Sequence, residues 1–210
     1  MIIKKNIGGG VPSFGKPATD SVYHRPIVAL GLSGRQTGRL LADCMPLICQ
    51  GRNIYCLDGG SIFDPCRLAG LARTVGLDPG SVLDRVFISR AYTCHQLAEA
   101  TDMLLAPLAE LNRDKTLLDL LVIVLGIDRL FLDEDIALHE RCHLYRRVLQ
   151  RITWISRRIP FLVTFMGDPE SCWVRDLART ARLLSEEEFR LPEILSMTMN
   201  FQQVDEWKGE

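Results

Sequence analysis

The sequence predicts an α/β protein with a doubly wound, mostly parallel sheet and helices on both faces. Short apolar runs alternate with segments of ten or more residues that carry apolar positions at helical spacing, which is typical of βαβ units. The run Leu120–Leu125 contains no polar residue, as expected for a strand at the centre of a parallel sheet. A chain of 210 residues with 47% hydrophobic residues suits one domain with a substantial core.

The first half of the chain carries clear turn and helix signals. Glycines and prolines crowd residues 1–24, which predicts a flexible or irregular lead-in before a core domain at 25–204 and a tail at 205–210. Pro46 is expected to kink the first helix or to end it early. The predicted elements are a strand at Ile27–Leu30, a glycine-containing turn (GLSGRQTG), a helix through about Cys49, a strand at Asn53–Leu57, a helix at Pro65–Val75 closed by Gly76, and a strand at Arg85–Ser89.

The second half continues the alternation. The predicted elements are a helix at His95–Asn112, a strand at Leu120–Leu125, a helix at Glu140–Arg158 and a strand at Pro160–Phe165. Trp173–Leu184 is predicted either as a helix or as a helix that runs into a strand, and Leu195–Phe201 as an edge strand.

Composition restricts the class of partner and compartment. The formal net charge of −1 gives no global polycation signal for nucleic acid or a membrane surface. Arginine outnumbers lysine by 20 to 5, which fits phosphate contacts but is explained more simply by genomic G+C bias. The seven cysteines form no Cys-x-x-Cys pair, and no apolar leader opens the chain. We therefore expect a soluble cytoplasmic protein with free thiols and no membrane partner.

The segment Tyr55–Asp84 reads YCLDGGSIFDPCRLAGLARTVGLDPGSVLD. It resembles the segment after the P-loop helix in RecA-type recombinases, above all the RadA branch, where D-T-E-G-T-F ends a strand, P-E-R-L opens a helix and G-L-x-x-x-x-V-L-D leads to the next strand. The matching residues are Asp58, Phe63, Pro65, Arg67 and Leu68. The resemblance implies a RecA-like P-loop NTPase core, with antiparallel strands at its C-terminal end.

The loop after the first strand departs from the P-loop pattern. A P-loop cradles phosphate with backbone N–H groups at a helix N-terminus, a Lys and a Mg²⁺-binding hydroxyl. Two registers, Gly34–Gln36 and Gly38–Leu40, both replace the Lys with Arg and lack the hydroxyl. The loop is therefore either a weakened nucleotide or anion site for ATP or ADP, or a tight turn kept as scaffold. The candidate nucleotide-binding residues are Gly31, Ser33, Gly34, Arg35, Gln36 and Thr37.

Three further positions of the resemblance have lost their chemistry. Gly60 stands at the catalytic glutamate, Leu125 at the Walker B aspartate, and Phe165-Met166 at the polar pair that senses the γ-phosphate. Asp128 follows Leu125 by three residues and is expected to be exposed to solvent or to start a helix. Asp58 is expected to hydrogen-bond the backbone of its own turn. These departures predict that no residue of the chain is catalytic and that ATP is not hydrolysed.

The predicted helix Glu140–Arg158 has an apolar face and a basic face. Its arginines are candidate contacts for nucleic acid or a protein partner: Arg146, Arg147, Arg151, Arg157 and Arg158. They form either a positive ridge that contacts phosphates or a solvated face paired with the acidic segments 133–135 and 186–188. His139 and His143 have i,i+4 spacing, but no third or fourth metal ligand is evident, so no metal site is predicted.

The resemblance and its departures favour a catalytically inactive RecA/RadA-like accessory or binding protein, acting in DNA recombination or repair through protein or DNA contacts. The implied partner is a recombinase or an accessory subunit, with DNA and self-association left open. The segments Leu132–Glu140 and Met166–Trp173, at the positions of the recombinase DNA loops, are short, acidic and not glycine-rich, which argues against a filament-type DNA role. The alternatives are a KaiC-like regulatory module that binds ATP or ADP without efficient hydrolysis, and an enzyme with relocated catalytic groups.

Overall fold

The computed structural model describes residues 27–31, 37–111, 120–157 and 159–184. Strands and helices alternate throughout these ranges. The strands are β1 Ile27–Gly31, β2 Asn53–Asp58, β3 Val86–Arg90, β4 Leu120–Leu125, β5 Phe161–Phe165 and β6 Ala181–Leu184. The helices are α1 Thr37–Cys49, α2 Pro65–Thr74, α3 Pro79–Leu83, α4 Cys94–Leu111, α5 Leu138–Ser156 and α6 Cys172–Ala178, with a 3₁₀ turn at Arg129–Phe131.

The strands form one sheet in the order β3-β2-β4-β5-β1-β6. Every pairing in this sheet is parallel, including that of β6 with β1. The segment Trp173–Leu184 is therefore a helix that runs into a strand, as one of the two predictions had it. The antiparallel end implied by the resemblance is wrong for β6, because α6 crosses back over the sheet before that strand begins. The predicted strand at Leu195–Phe201 lies outside the described residues.

The helices cover both faces of the sheet, as predicted. The chain steps from β1 to β2 and β3 toward one edge, then returns through β4 and β5 to β6 at the other. One buried cluster joins α1, α2 and α3 to the sheet, and a second joins α4, α5 and α6 to the opposite face. Each crossover between parallel strands has the same hand. When the chain reverses its direction along the sheet after β3, the connecting helices therefore change from one face to the other.

Local signals fix several helix ends. Asp64 caps α2, where its carboxylate accepts hydrogen bonds from the backbone N–H of Cys66 at 2.9 Å and of Arg67 at 3.2 Å, and Pro65 begins the helix. Asp78-Pro79 repeats the same signal, and its carboxylate accepts from the Ser81 N–H at 2.8 Å. This second cap starts α3, a short helix that the sequence interpretation did not include.

Pro46 does not end α1, which continues to Cys49. The predicted end near Cys49 is confirmed. The alternative of an early end at the proline is wrong, because Met45, Leu47 and Ile48 are all buried on either side of it. Their packing against the sheet outweighs the loss of one helical N–H donor.

Candidate functional site

The carboxyl ends of β2, β4 and β5 meet at one edge of the sheet. The helices that follow β2 and β4 lie on opposite faces of the sheet. The two loops that leave these adjacent strands therefore diverge, one toward each face. Parallel sheets bind ligands in the crevice at such a point. The segments that line it are 58–61 after β2, 126–128 after β4 and 166–167 after β5.

Asp58 ends β2 and organises the turn that follows it. Its side chain is buried and accepts hydrogen bonds from the Ile62 N–H at 2.9 Å and the Phe63 N–H at 3.1 Å. The predicted role as a turn aspartate is confirmed. The carboxylate stabilises the chain reversal between β2 and α2, because it satisfies two backbone donors that would otherwise be unpaired.

Arg90 is a partner of Asp58 that sequence reasoning missed. Its guanidinium donates from Nε to Oδ2 of Asp58 at 3.0 Å and from a terminal nitrogen to the Phe63 carbonyl at 2.8 Å. The two residues stand side by side at the ends of β2 and β3 in the parallel register. The sequence did contain a signal for this ion pair, because an acidic and a basic residue directly follow two successive predicted strands. With its charge paired, Asp58 is suited to hold the turn rather than to act as a general base.

Asp128 is buried, so the expectation of solvent exposure is wrong. Its oxygens accept hydrogen bonds from the backbone N–H groups of Met166 at 2.9 Å and Gly167 at 2.6 Å. Asp128 does stand at the start of the 3₁₀ turn, but its side chain makes no capping bond there. The two N–H donors follow the end of β5, and the buried carboxylate of Asp128 accepts the hydrogen bonds that water would otherwise accept from them.

Backbone hydrogen bonds join the three loops of this edge to one another. The Leu125 carbonyl accepts from the N–H of Gly59 at 2.9 Å and of Gly60 at 3.0 Å. The Thr164 hydroxyl accepts from the Gly126 N–H at 2.9 Å, and the Thr164 carbonyl accepts from Ile127 at 2.9 Å. The crevice between β2 and β4 is therefore bridged by main chain.

Side chains occupy the space around Gly60. A Cβ atom at this position would lie 2.4 Å from Cδ1 of Ile62 and 3.4 Å from the sulfur of Met166. On the other side, Gly126 adopts φ +62° and approaches the Gly60 backbone so closely that its own Cβ would lie 3.0 Å from Cα of Gly60. A side chain at position 60 would require the Ile62 side chain to shift.

Leu125 belongs to the core rather than to the crevice. It is buried in the cluster formed with α1 and α2, beside Leu40 and Leu41. The small cavity at this contact measures about 10 Å³ and is lined by apolar residues and two cysteines. A space of this size and polarity does not hold an ordered water.

The predicted nucleotide-binding residues are only partly described. Gly31 ends β1, with its Cα against the Phe165 ring, and a Cβ there would lie 3.2 Å from that ring. Thr37 begins α1. Ser33, Gly34, Arg35 and Gln36 lie outside the described residues, so their role remains a prediction.

Two of the predicted basic residues on α5 are paired with a neighbouring helix. Arg151 Nε lies 2.7 Å from Oδ1 of Asp102 on α4, and Arg147 contacts the other oxygen of the same carboxylate. Pairing was one of the two interpretations of these arginines, but the described partner is Asp102 and not the predicted segment 133–135; the other predicted segment, 186–188, lies outside the described residues. The side-by-side packing of α4 and α5 places Asp102 against both.

Arg146 and Arg157 are exposed and form no ion pair within the part of the chain that the structure describes. Arg158 lies outside that part. A groove of about 940 Å³ runs between α5 and the C-terminal end of α6. Its lining includes His143, Arg146, Gln150, Trp154, Arg157 and Arg179. Of these, the sequence interpretation had singled out only the first two and Arg157, and had not linked Trp154 to the arginines.

No family model matches this sequence, and no curated protein matches it. Among the described helices, none has the length and hydropathy needed to cross a membrane. Within the same ranges, His, Cys, Asp and Glu side chains form no group of three or more that could hold a metal ion.

Proposed function

We propose that this chain is a catalytically inactive RecA/RadA-like protein that acts as an accessory or binding subunit in DNA recombination or repair. The resemblance of Tyr55–Asp84 to the segment after the P-loop helix of RecA-type recombinases supports the choice of family. The observation that carries the loss of activity is the packing around Gly60. A Cβ atom at this position would lie 2.4 Å from the end of the Ile62 side chain, so a glutamate is compatible only with a different placement of Ile62.

The charged groups of the carboxyl edge support the same proposal. Mg²⁺ in a nucleotide site is held by carboxylate and hydroxyl oxygens that remain accessible to it. Both oxygens of Asp128 accept backbone N–H groups, and Asp58 is bonded to its own turn and to Arg90. Leu125 is buried against α1. A domain with these features retains a scaffold that can present surfaces to a partner.

A phosphate-release assay tests the loss of activity. We expect no release from Mg²⁺-ATP above a protein-free control, with or without single-stranded DNA. An Arg35→Ala variant separates the chain from a contaminating ATPase. Release that copurifies with the chain and disappears in Arg35→Ala overturns the proposal.

Affinity capture from native extract tests the accessory role. With the full chain as bait, we expect mass spectrometry to identify a recombinase or a recombination subunit above the level of an unrelated α/β bait. Capture of no such protein counts against a role in recombination or repair.

A second candidate function is a KaiC-like regulatory module that binds ATP or ADP without efficient hydrolysis. The placement of β1 favours it, because this strand ends at the carboxyl edge beside β5 and is followed within six residues by the N-terminus of α1. Such a helix start attracts phosphate. The test is thermal unfolding at millimolar ATP or ADP with Mg²⁺. An increase in Tm that Arg35→Ala abolishes and Arg73→Ala retains supports this reading, whereas an unchanged Tm excludes it.

A further inference from the structure

The groove between α5 and α6 combines positive charge with an indole. Arg146, Gln150, Trp154 and Arg157 follow one another at intervals of three or four residues, so they lie along one stripe of α5. From Arg146 to Arg157 this stripe is about 16 Å long, at the rise of an α-helix. A ligand that contacts both arginines must therefore extend along the helix.

Among the described residues at this groove, positive charges outnumber negative ones. Asp102 is shared by Arg147 and Arg151, so two positive charges face one negative charge. Arg179 lies 2.9 Å from Asp176, which balances it. Arg146 and Arg157 add two charges with no ion pair among the described residues. The groove therefore complements a polyanion.

The presence of Trp154 in the groove favours one class of polyanionic ligand over the others. It is half-buried, packs partly against the core beneath α5, and also lines the groove. An indole between arginines offers a surface on which a base can stack, and arginines bind the flanking phosphates. An acidic peptide would use the arginines and not the indole, and a duplex keeps its bases stacked on one another.

We propose that the α5–α6 groove binds single-stranded nucleic acid, with Trp154 stacking on a base and Arg146 and Arg157 contacting phosphates. The inference rests on the proposed function, since it gives the accessory protein a defined contact with DNA. It places that contact on a helical face of the domain, away from the carboxyl edge of the sheet.

The test uses a fluorescein-labelled thymidylate 20-mer and the full chain, with anisotropy measured over a series of NaCl concentrations. We expect Arg146→Gln/Arg157→Gln to weaken binding at least tenfold. The slope of log affinity against log salt should fall by about 1.4, because each phosphate contact on a single strand contributes about 0.7. The matched control is Arg67→Gln/Arg73→Gln, which removes two exposed charges from α2 on the opposite face of the sheet. It should bind within twofold of the wild type.

Trp154→Leu separates stacking from charge. Leucine keeps an apolar side chain on α5, so we expect affinity for the 20-mer to fall at least threefold with an unchanged salt slope. In the wild type, unlabelled 20-mer should quench the indole emission, and this quenching should be absent from Trp154→Leu. Urea unfolding of each variant confirms that the loss does not come from unfolding.

Several outcomes overturn the inference. One is an equal loss of affinity in the α2 control, which would reduce binding to net charge. Another is binding of duplex as tight as that of the single strand, without quenching. A third is failure of the 20-mer to bind while a poly-glutamate peptide binds and depends on Arg146 and Arg157, which would assign the groove to an acidic protein.

The two proposals fail separately. ATP hydrolysis that is lost in Arg35→Ala overturns the proposed function and leaves groove binding intact. Capture of a recombinase by a chain that does not bind the 20-mer supports the proposed function and overturns the groove.

Discussion

At the scale of single residues, Gly60 shows how closely the loops of the carboxyl edge approach one another. Its N–H donates to the Leu125 carbonyl, the Ile62 side chain folds over it, and the backbone of Gly126 lies opposite. A side chain at this position would have to displace Ile62, which is half-buried. A residue larger than glycine at position 60 therefore requires a different placement of Ile62.

A Gly60→Glu substitution should not restore ATP hydrolysis and should destabilise the protein. We expect the free energy of unfolding to fall by about 1–3 kcal/mol, because added atoms must force apart a packed turn. Urea denaturation measures the change, and phosphate release measures activity.

The matched control is Gly70→Ala on α2, where a Cβ meets no atom within 4 Å. It should stabilise the protein by about 0.5–1 kcal/mol, the helix preference of alanine over glycine. A Gly60→Glu variant that is as stable as the wild type and releases phosphate would show that the site around position 60 is intact.

At the scale of elements, the contact between α4 and α5 combines an apolar seam with one shared carboxylate. Leu97 of α4 and Val148 and Ile152 of α5 are fully buried, and Asp102 pairs with two arginines at the rim. The seam provides most of the attraction between these helices, since a partly exposed ion pair contributes little.

Asp102→Asn should lower the free energy of unfolding by about 1 kcal/mol at low salt. The loss should shrink in 1 M NaCl, because salt screens the wild-type pairs. Urea denaturation at both salt concentrations measures it. Asp176→Asn, whose partner Arg179 is largely exposed, is the control and should change stability by less than about 0.5 kcal/mol. A loss at Asp102 that is the same at both salt concentrations would contradict an electrostatic role.

The elements were largely predictable, because their signals are local. Apolar runs located β1 to β5, and Asp64-Pro65 marked the start of α2. The predicted end of α1 near Cys49 was right despite Pro46, because burial on both sides of the proline outweighs the local rule. In the candidate site, the local turn contact of Asp58 was predictable, whereas the contacts of Asp128 were not. Asp128 bonds residues 38 and 39 positions away, and a single sequence contains no local sign of such a partner.

At the scale of the whole molecule, the sheet separates two cores, and each contains weak acids that burial keeps protonated. On the α1–α2 face, burial and the nearby charge of Asp43 raise the pKa of Cys44, and burial and Asp58 raise that of Cys56. On the α5–α6 face, burial raises the pKa of Tyr145, whose hydroxyl donates to the Trp173 carbonyl at 2.7 Å. These groups lose their protons more easily in the unfolded chain than in the folded one.

Stability should therefore fall at alkaline pH. Below the pKa of an unfolded thiol, about 8.5, both states hold the proton and the contribution of burial is complete. Above it the unfolded state binds fewer protons, so the free energy of unfolding declines by up to about 1.4 kcal/mol per pH unit for each buried thiol. Urea denaturation under reducing conditions from pH 7 to 10 measures the decline.

Cys44→Ala should make that decline shallower by up to about 1.4 kcal/mol per pH unit, since one titrating group is removed. Cys49→Ala is the matched control, because Cys49 is exposed on the same helix. A slope in Cys44→Ala that equals the wild-type slope would show that the Cys44 thiol does not contribute.

The order of strands also decides when the fold can be completed during synthesis. β1 lies between β5 and β6, and Val28 is paired with Leu162 on one side and with Arg182 on the other. The first described strand therefore has no neighbour until β5 has been made, and it gains its second neighbour only with β6, the last described strand. β2, β3 and β4 can pair before then, because they are adjacent to one another. Contacts this distant in sequence form slowly, so in a nascent chain β1 is the strand most exposed to chaperones and to misassembly.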